Sequence, residues 1–267
     1  MIDDIRQRLA KKRPLIHCIT NPISINQCAN AILAVGARPM MAEHPQEAGI
    51  ITATAGALML NLGNFNDVRV QSMLISAQTA SEKGIPFLLD VCGAACLKNR
   101  RDYALSLIEK YRPTVIKGNR SEIAALYDET YTSTGVDSAE DMTAERSDKA
   151  AAALARQTGC VVIASGSIDT VTDGRRITHI KNGTPRMGTV TGTGCMQGAV
   201  CAAFLSVCDA FSAAVSACVV LGVSGELAES VRGSGSFAVA LMDGISELDD
   251  KDIAPHLKLE ETQLEQA

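Results

Sequence analysis

Aromatic residues are scarce in this chain: it has no tryptophan, five phenylalanines and four tyrosines among 267 residues. Single-stranded nucleic acids are bound largely by stacking of their bases on aromatic side chains, and no such surface is expected here. Basic residues are also in deficit, since 25 Lys and Arg face 30 Asp and Glu. A net charge of −5 predicts no broad basic patch. We therefore expect neither nucleic acid nor a membrane as a partner.

Long hydrophobic runs and an apolar leader are missing too. The most apolar stretch, Phe211–Val223, is too short to span a bilayer and contains two serines and a glycine. The first fourteen residues are polar, so no signal peptide is predicted, and the protein is expected to be cytoplasmic. The nine cysteines are interpreted as free thiols used as small core residues. Cys92 and Cys96 form a CxxxC pair, but no second pair at ligand spacing predicts a zinc site.

Short apolar runs alternate with longer amphipathic ones, which predicts a mostly parallel α/β sheet covered by helices on both faces. One domain is expected over residues 1–267, with a polar, peripheral tail from about 249 to 267. The predicted strands are Leu15–Thr20, Pro39–Ala42, Ala57–Leu62, Pro86–Val91, Thr114–Lys117 and Val161–Ser165, then a hairpin of Thr170–Thr172 and Ile177–Ile180. The predicted helices are Ser24–Val35, Pro45–Thr54, Asp67–Lys83, Asp102–Tyr111, Arg120–Tyr127, Asp148–Thr158, Cys195–Val207, Ala210–Ser230 and Phe237–Glu247.

The sharpest motif is Gly192-Thr193-Gly194-Cys195, which directly precedes an apolar helical run. Glycines before a helix leave backbone N–H groups free to point at an anion, and the helix dipole adds partial positive charge. Such a nest suits a phosphoryl group in transfer. Cys195 in the first turn is expected to have a lowered pKa, so it either deprotonates an alcohol or lies beside it. The alternative is a tight loop with a small capping residue.

Other interpretations of this loop are weaker. It is not a P-loop, because no GK[ST] follows. The GxGxxxG pattern from Gly192 to Gly198 loosely resembles a dinucleotide fingerprint, but it lies late in the chain and follows no clear strand. A covalent role for Cys195 requires a nearby His base, and nothing in the sequence pairs one of the histidines with it.

A second motif, from Lys117 to Glu122, follows a predicted strand. Asn119 and Glu122 are three residues apart and meet on one face of an opening helical turn. An amide and a carboxylate suit Mg²⁺, and Lys117 is placed to meet ATP phosphates. The alternative is structural, since Asn at the N-cap with Glu three residues later resembles a capping box.

Polar residues at the ends of other predicted strands supply further candidates. Asp90 ends an apolar strand, where ligands collect in parallel sheets, so it is a candidate for the metal or phosphate side. A loop-capping aspartate is the alternative. Asn21 lies in a polar stretch between a strand and a helix that could line a pocket. Met41 follows the next strand, where a core-filling role competes with contact to a flat ring.

Together these pieces resemble the hydroxyethylthiazole kinase family of the ribokinase-like superfamily. The resemblance covers roughly Leu15 to Phe237. A cysteine in the GTGC loop is typical of thiazole kinases, whereas most ribokinase-like kinases have aspartate there. The matching segments are PLIHCITNPISINQCANAILAVGARPMMAEHPQE, ALMLNLGN, FLLDVCGA, TVIKGNRSEI, VVIASGSID, TVTGTGC and GSGSF.

The resemblance implies a three-layer α/β/α fold and ATP-dependent phosphorylation of the hydroxyl of 4-methyl-5-(2-hydroxyethyl)thiazole, in thiamine biosynthesis or salvage. It places Cys195 at the catalytic position, with the backbone of Gly192, Thr193 and Gly194 completing an anion hole. Met41 and Gly192 match substrate contacts, and Asn21 lies in the same segment as the pocket.

On the nucleotide side, the resemblance implies that Asp90 and Glu122 face Mg²⁺ and phosphate. Lys117 stands where the family often has Arg beside ATP, and Ser165 matches a nucleotide-side position. With Asn119, these residues are the predicted ATP contacts. The resemblance also implies a homotrimer with sites at subunit boundaries.

Three departures from the family's sequence pattern are expected to affect ATP affinity more than the type of reaction. The family's usual DPVG is Asp90-Val91-Cys92-Gly93 here, Lys117 cannot bind a phosphate bidentately as Arg does, and GSG replaces GPG. Three other functions stay open: a related kinase for another small alcohol such as a hydroxymethylpyrimidine, an ATP-dependent dehydratase of hydrated NAD(P)H, and a non-catalytic binding protein of the same fold.

Overall fold

A computed structural model describes residues 4–128, 131 and 143–264. One nine-stranded sheet runs through it in the order β2-β1-β3-β4-β5-β6-β7-β8-β9. The first six strands in that order are parallel, and the last three pair antiparallel. The strands are β1 Leu15–Ile19, β2 Arg38–Met40, β3 Ala57–Asn61, β4 Phe87–Asp90, β5 Val115–Asn119, β6 Val161–Ser165, β7 Asp169–Thr172, β8 Arg176–Ile180 and β9 Leu259–Gln263.

Helices cover both faces of this sheet. They are α1 Ile5–Lys12, α2 Ile25–Ala34, α3 Pro45–Thr52, α4 Asp67–Lys83, α5 Lys98–Tyr111, α6 Arg120–Tyr127, α7 Ala144–Thr158, α8 Thr193–Leu205, α9 Ala210–Leu227, α10 Ser234–Glu247 and α11 Asp250–Ile253. Short 3₁₀ turns occupy Pro185–Thr189, Ala228–Ser230 and Ala254–His256.

Successive side chains of each strand point to opposite faces of the sheet, and this divides the core into two layers. Met59 and Leu88 point into a cluster with α2, α8, α9 and α10. Their neighbours Leu58, Leu60 and Leu89 point into a second cluster with α4, α5, α6 and α7. Because successive side chains of a strand face opposite sides, an apolar strand such as β3 must be covered on both. The predicted three-layer α/β/α class with a mostly parallel sheet is confirmed.

All eight predicted strands and all nine predicted helices are present, but some boundaries and elements differ. Helix α5 begins four residues earlier than predicted and α7 begins at Ala144 instead of Asp148. Helix α1 and strand β9 were not predicted. Strand β9 is exposed throughout and pairs only at the sheet edge, so no alternation of apolar residues marks it. The tail is therefore peripheral as expected, yet partly a strand; residues 265–267 lie outside the described part.

Helix α9 with the turn after it, 210–230, is long and apolar enough to cross a membrane. The expectation that the apolar stretch Phe211–Val223 is too short to span a bilayer was therefore wrong. About 78% of its most apolar window is buried inside the fold, however, where it packs against α8 and α10. A buried core helix meets the same criteria of length and composition. All nine cysteines are free thiols, as predicted.

Candidate active site

Strand register gathers polar side chains at the carboxyl edge of the sheet. Asn61 of β3 lies beside Asp90 of β4, which lies beside Lys117 of β5. Two residues further along β5, Asn119 lies beside Ser165 of β6. Parallel strands end at the same edge, so residues far apart in sequence become neighbours there.

Asp90 and Lys117 form a buried ion pair. The Lys117 Nζ is 3.3 Å from Asp90 Oδ2, and each side chain is 4% exposed. Burial is the largest single influence and lowers the pKa of Lys117, but Asp90 and then Cys195 and Glu122 together outweigh it, so the pKa lies above its ordinary value. The ammonium therefore stays charged at neutral pH.

The Gly192–Cys195 loop begins α8 directly above this pair. Gly192 has φ +87°, a left-handed conformation that glycine adopts without strain, and α8 starts at Thr193. The first N–H groups of a helix have no intrahelical acceptor, so those of Thr193, Gly194 and Cys195 are available to an anion. A Cβ at Gly194 would lie 3.6 Å from Lys117 Nζ, which places the ammonium at the same nest.

Two amide side chains hold the Cys195 sulfur. The Nδ2 groups of Asn21 and Asn61 donate to Cys195 Sγ over 3.3 and 3.4 Å. Burial, and then the Asp90 charge, raise the pKa of this half-buried thiol, although Ser24, Lys117 and Asn21 oppose the rise. The expected lowering of the Cys195 pKa by the helix N-terminus is therefore wrong in direction.

Both carboxylate oxygens of Glu122 accept backbone N–H groups, one at the start of α6 and one in the loop after β4. Its Oε2 accepts from the Asn119 N–H at 2.7 Å, while Asn119 Oδ1 accepts from the Glu122 N–H at 2.9 Å. The other oxygen accepts from the Gly93 N–H at 2.6 Å. Burial, and then the Asp90 charge, raise the pKa of Glu122 to about 7. The capping-box alternative is confirmed; the metal role of Glu122 stays a prediction.

Two adjoining cavities meet at the nest. The first, about 620 Å³, contains most of the predicted site residues: Asn21, Asp90, Lys117, Asn119, Glu122, Ser165, Gly192, Thr193, Gly194 and Cys195. The second, about 540 Å³, shares five residues with it: Asn119, Ser165, Gly188, Thr193 and Gly194. The arrangement can hold a small molecule beside Cys195 and a second, anionic one across the nest.

Comparisons with known proteins identify the family of this chain. A family model described as the hydroxyethylthiazole kinase family matches residues 6–251. The chain belongs to this family. A relative named hydroxyethylthiazole kinase 2, from Clostridium botulinum (strain 657 / Type Ba4), is 42% identical over 260 residues, which are 96% of this chain and 98% of the relative.

Solved structures place the fold in the same group. The structure of hydroxyethylthiazole kinase from Pyrococcus horikoshii OT3 is 34% identical, with a TM-score of 0.90 over 98% of this chain and 99% of that one. A ribokinase-like superfamily protein from Enterococcus faecalis V583 is 13% identical, with a TM-score of 0.63 over 92% and 94%. That distant likeness shows the fold alone, and it agrees with a ribokinase-like architecture.

Of the residues predicted to belong to the site, Met41 alone lines neither cavity. It follows β2, the edge strand, where it is half-buried against the core cluster that includes α2 and α8. The substrate contact predicted for Met41 stays a prediction.

Asn61 and Gln197 were missed by the sequence analysis. Asn61 is fully buried, and it ends an apolar strand just as Asp90 does, so the same signal was available. Gln197 lies one turn into α8 and lines the second cavity, where its Nε2 donates to Asp169 Oδ2 at 2.6 Å. The signal for Gln197 was its place as the one amide side chain in the apolar helix α8.

Replacing Asn61 with Asp tests whether its amide acts through the sulfur of Cys195. Aspartate keeps the oxygen that accepts from the Gly63 N–H but removes the donor to Sγ. We expect kcat to fall about tenfold, the effect of one hydrogen bond of about 1.4 kcal/mol, while the KM for ATP stays within about twofold.

The same change made in a Cys195→Ala background provides the control. There the loss should shrink to less than about twofold, because mutations of contacting groups are not additive. An equal loss in both backgrounds would show that Asn61 acts through the fold or the substrate. Thermal melting of each variant separates unfolding from a catalytic effect.

Proposed function

We propose that the protein transfers the γ-phosphate of ATP to the hydroxyl of 4-methyl-5-(2-hydroxyethyl)thiazole, in thiamine biosynthesis or salvage. The observation that carries this proposal is the Gly192–Cys195 nest above the Asp90–Lys117 pair, at the junction of two cavities. Phosphoryl transfer needs mainly positioning and stabilisation of negative charge, and a nest beside a buried ammonium provides both.

The first cavity is proposed to bind the thiazole. Its volume of about 620 Å³ is ample for one small heterocycle. Asn21 and Gly192 line it beside Cys195, so a ring held there directs its hydroxyethyl arm toward the sulfur. The second cavity is proposed for the nucleoside part of ATP, with Asn119 and Ser165 at the boundary where the phosphates cross into the first cavity, toward Asp90 and Lys117.

Mg²⁺ is the proposed metal, and the residues present fit it. Lys117 bonds one oxygen of Asp90, and no hydrogen bond to Asp90 Oδ1 is formed among the described residues. Mg²⁺ is commonly held by one or two carboxylates, by substrate phosphates and by water. Asp90 would hold it, with Glu122 on the same side, and when bound it would neutralise charge on the ATP phosphates.

Side-chain and backbone groups of the chain then position the reactants. The thiol of Cys195 orients the alcohol, because its raised pKa leaves little thiolate at neutral pH. A loose phosphoryl-transfer transition state asks little of a base. As the terminal phosphoryl group moves in line toward the alcohol oxygen, the N–H groups of Thr193, Gly194 and Cys195 donate to it. Lys117 stabilises the same charge.

A cytoplasmic location is proposed on chemical grounds. Nine free thiols in one chain are typical of a reducing compartment. ATP, the proposed co-substrate, also belongs to that environment.

We further propose a homotrimer whose sites lie at subunit boundaries. Ile23 and Leu97 line the first cavity, yet they are 57% and 51% exposed, as expected if a neighbour covers them. Met41 lies outside its own chain's cavity, which is consistent with a contact to the site of another subunit. Sedimentation equilibrium should give three times the chain mass of 28.1 kDa; a monomer at working concentration would refute the assembly.

ADP release with Mg-ATP tests the reaction. We expect release that depends on hydroxyethylthiazole and a phosphorylated thiazole by mass spectrometry, with background rates when hydroxymethylpyrimidine or no acceptor is supplied. Release with the pyrimidine alone would keep the mechanism and overturn the acceptor. The absence of any acceptor-dependent release would favour the dehydratase or the binding protein.

A further inference from the structure

The first cavity has fewer available cations than a polyphosphate needs. Two cationic side chains line it, Lys117 and Arg100, together with the carboxyl groups of Asp90 and Glu122. Lys117 is already paired with Asp90. The charge of this pair is therefore close to balanced before any phosphate binds. Of the two lining cations, Arg100 is the one whose charge is not offset by an ion pair.

Arg100 lies in the first turn of α5, on the wall of this cavity. Its Nη1 donates to the Cys92 carbonyl at 3.0 Å. Its Nε–H is buried and has no hydrogen-bond partner among the described residues. In the part of the chain that the structure describes, no carboxylate lies within ion-pair distance of its guanidinium.

The loop before α5 keeps the guanidinium at this wall. Gly93 has φ +80°, and a Cβ there would overlap Arg100 Nη1. The N–H of the same Gly93 donates to Glu122. Arg100 is thus held beside the carboxylates of the phosphate side by a position that only glycine allows.

We propose that Arg100 binds the phosphate chain of the nucleotide. This inference rests on the proposed kinase function. The Nε and Nη2 groups of a guanidinium form a fork that matches two phosphate oxygens, and the bond to Cys92 leaves that edge to the ligand. A small turn of the side chain into the cavity satisfies the Nε–H. The bidentate contact that Lys117 cannot make is then supplied from α5.

Calorimetric binding of a non-hydrolysable ATP analogue with Mg²⁺, compared with adenosine, tests this role without any acceptor. Arg100→Gln should weaken binding of the analogue about tenfold or more, the effect expected for lost charge-assisted hydrogen bonds, and leave adenosine unchanged. Arg100→Lys should give an intermediate loss, because it keeps the charge and loses the fork.

Lys98→Gln is the matched control: it removes a positive charge from the same turn, where the side chain is 72% exposed and paired with Asp102. It should change neither affinity. Unchanged binding of the analogue by folded Arg100→Gln, or an equal loss for adenosine, would overturn the proposal. Failure of the wild type to bind the analogue would instead refute the kinase function itself.

Discussion

The buried ion pair between Asp90 and Lys117 is the interaction around which the site is arranged. Two charges taken out of water are costly unless they are paired and further solvated by nearby dipoles. Strand register sets them side by side, and the N-terminus of α8 points its partial positive charge toward the same place. Removing either partner would leave one buried charge unpaired, so the pair constrains which side chains can stand nearby.

Several properties of the site follow from that pair. Burial, and then the Asp90 charge, raise the pKa values of both Cys195 and Glu122, so the thiol stays protonated at neutral pH and the carboxyl group is only partly ionised. The close approach of α8 also requires a small residue. A Cβ at Gly198 would lie 2.9 Å from Met59 Cε and 3.5 Å from Asp90 Oδ2. A larger residue there would push the helix, and with it the nest, away from the ion pair.

Eight of the nine described strands, most helices and the nest could be predicted because each depends on local pattern: apolar runs, amphipathic periods and a glycine loop before a helix. Features that depend on the packing of distant parts of the chain could not be predicted from the sequence. The direction of the Cys195 pKa shift depends on burial and on Asp90, which is 105 residues away in sequence. The sequence predicted a helix only from Asp102, and so placed Arg100 in a loop, because α5 begins at Lys98 with no side-chain cap to mark it. That Met41 lines neither cavity depends on how β2 packs at the sheet edge, which residue order does not contain.

The most direct measurement is the kcat of Gly194→Val beside that of Gly235→Val. Both glycines are third in a G-[TS]-G turn that opens a helix, each after a glycine with positive φ, but only Gly194 lines the cavities. A side chain at Gly194 blocks the nest without meeting backbone. We expect kcat to fall about 100-fold or more in Gly194→Val, with its melting temperature retained, and to change little in Gly235→Val. An unchanged kcat in folded Gly194→Val would contradict the assignment of this loop to the transferring phosphoryl group.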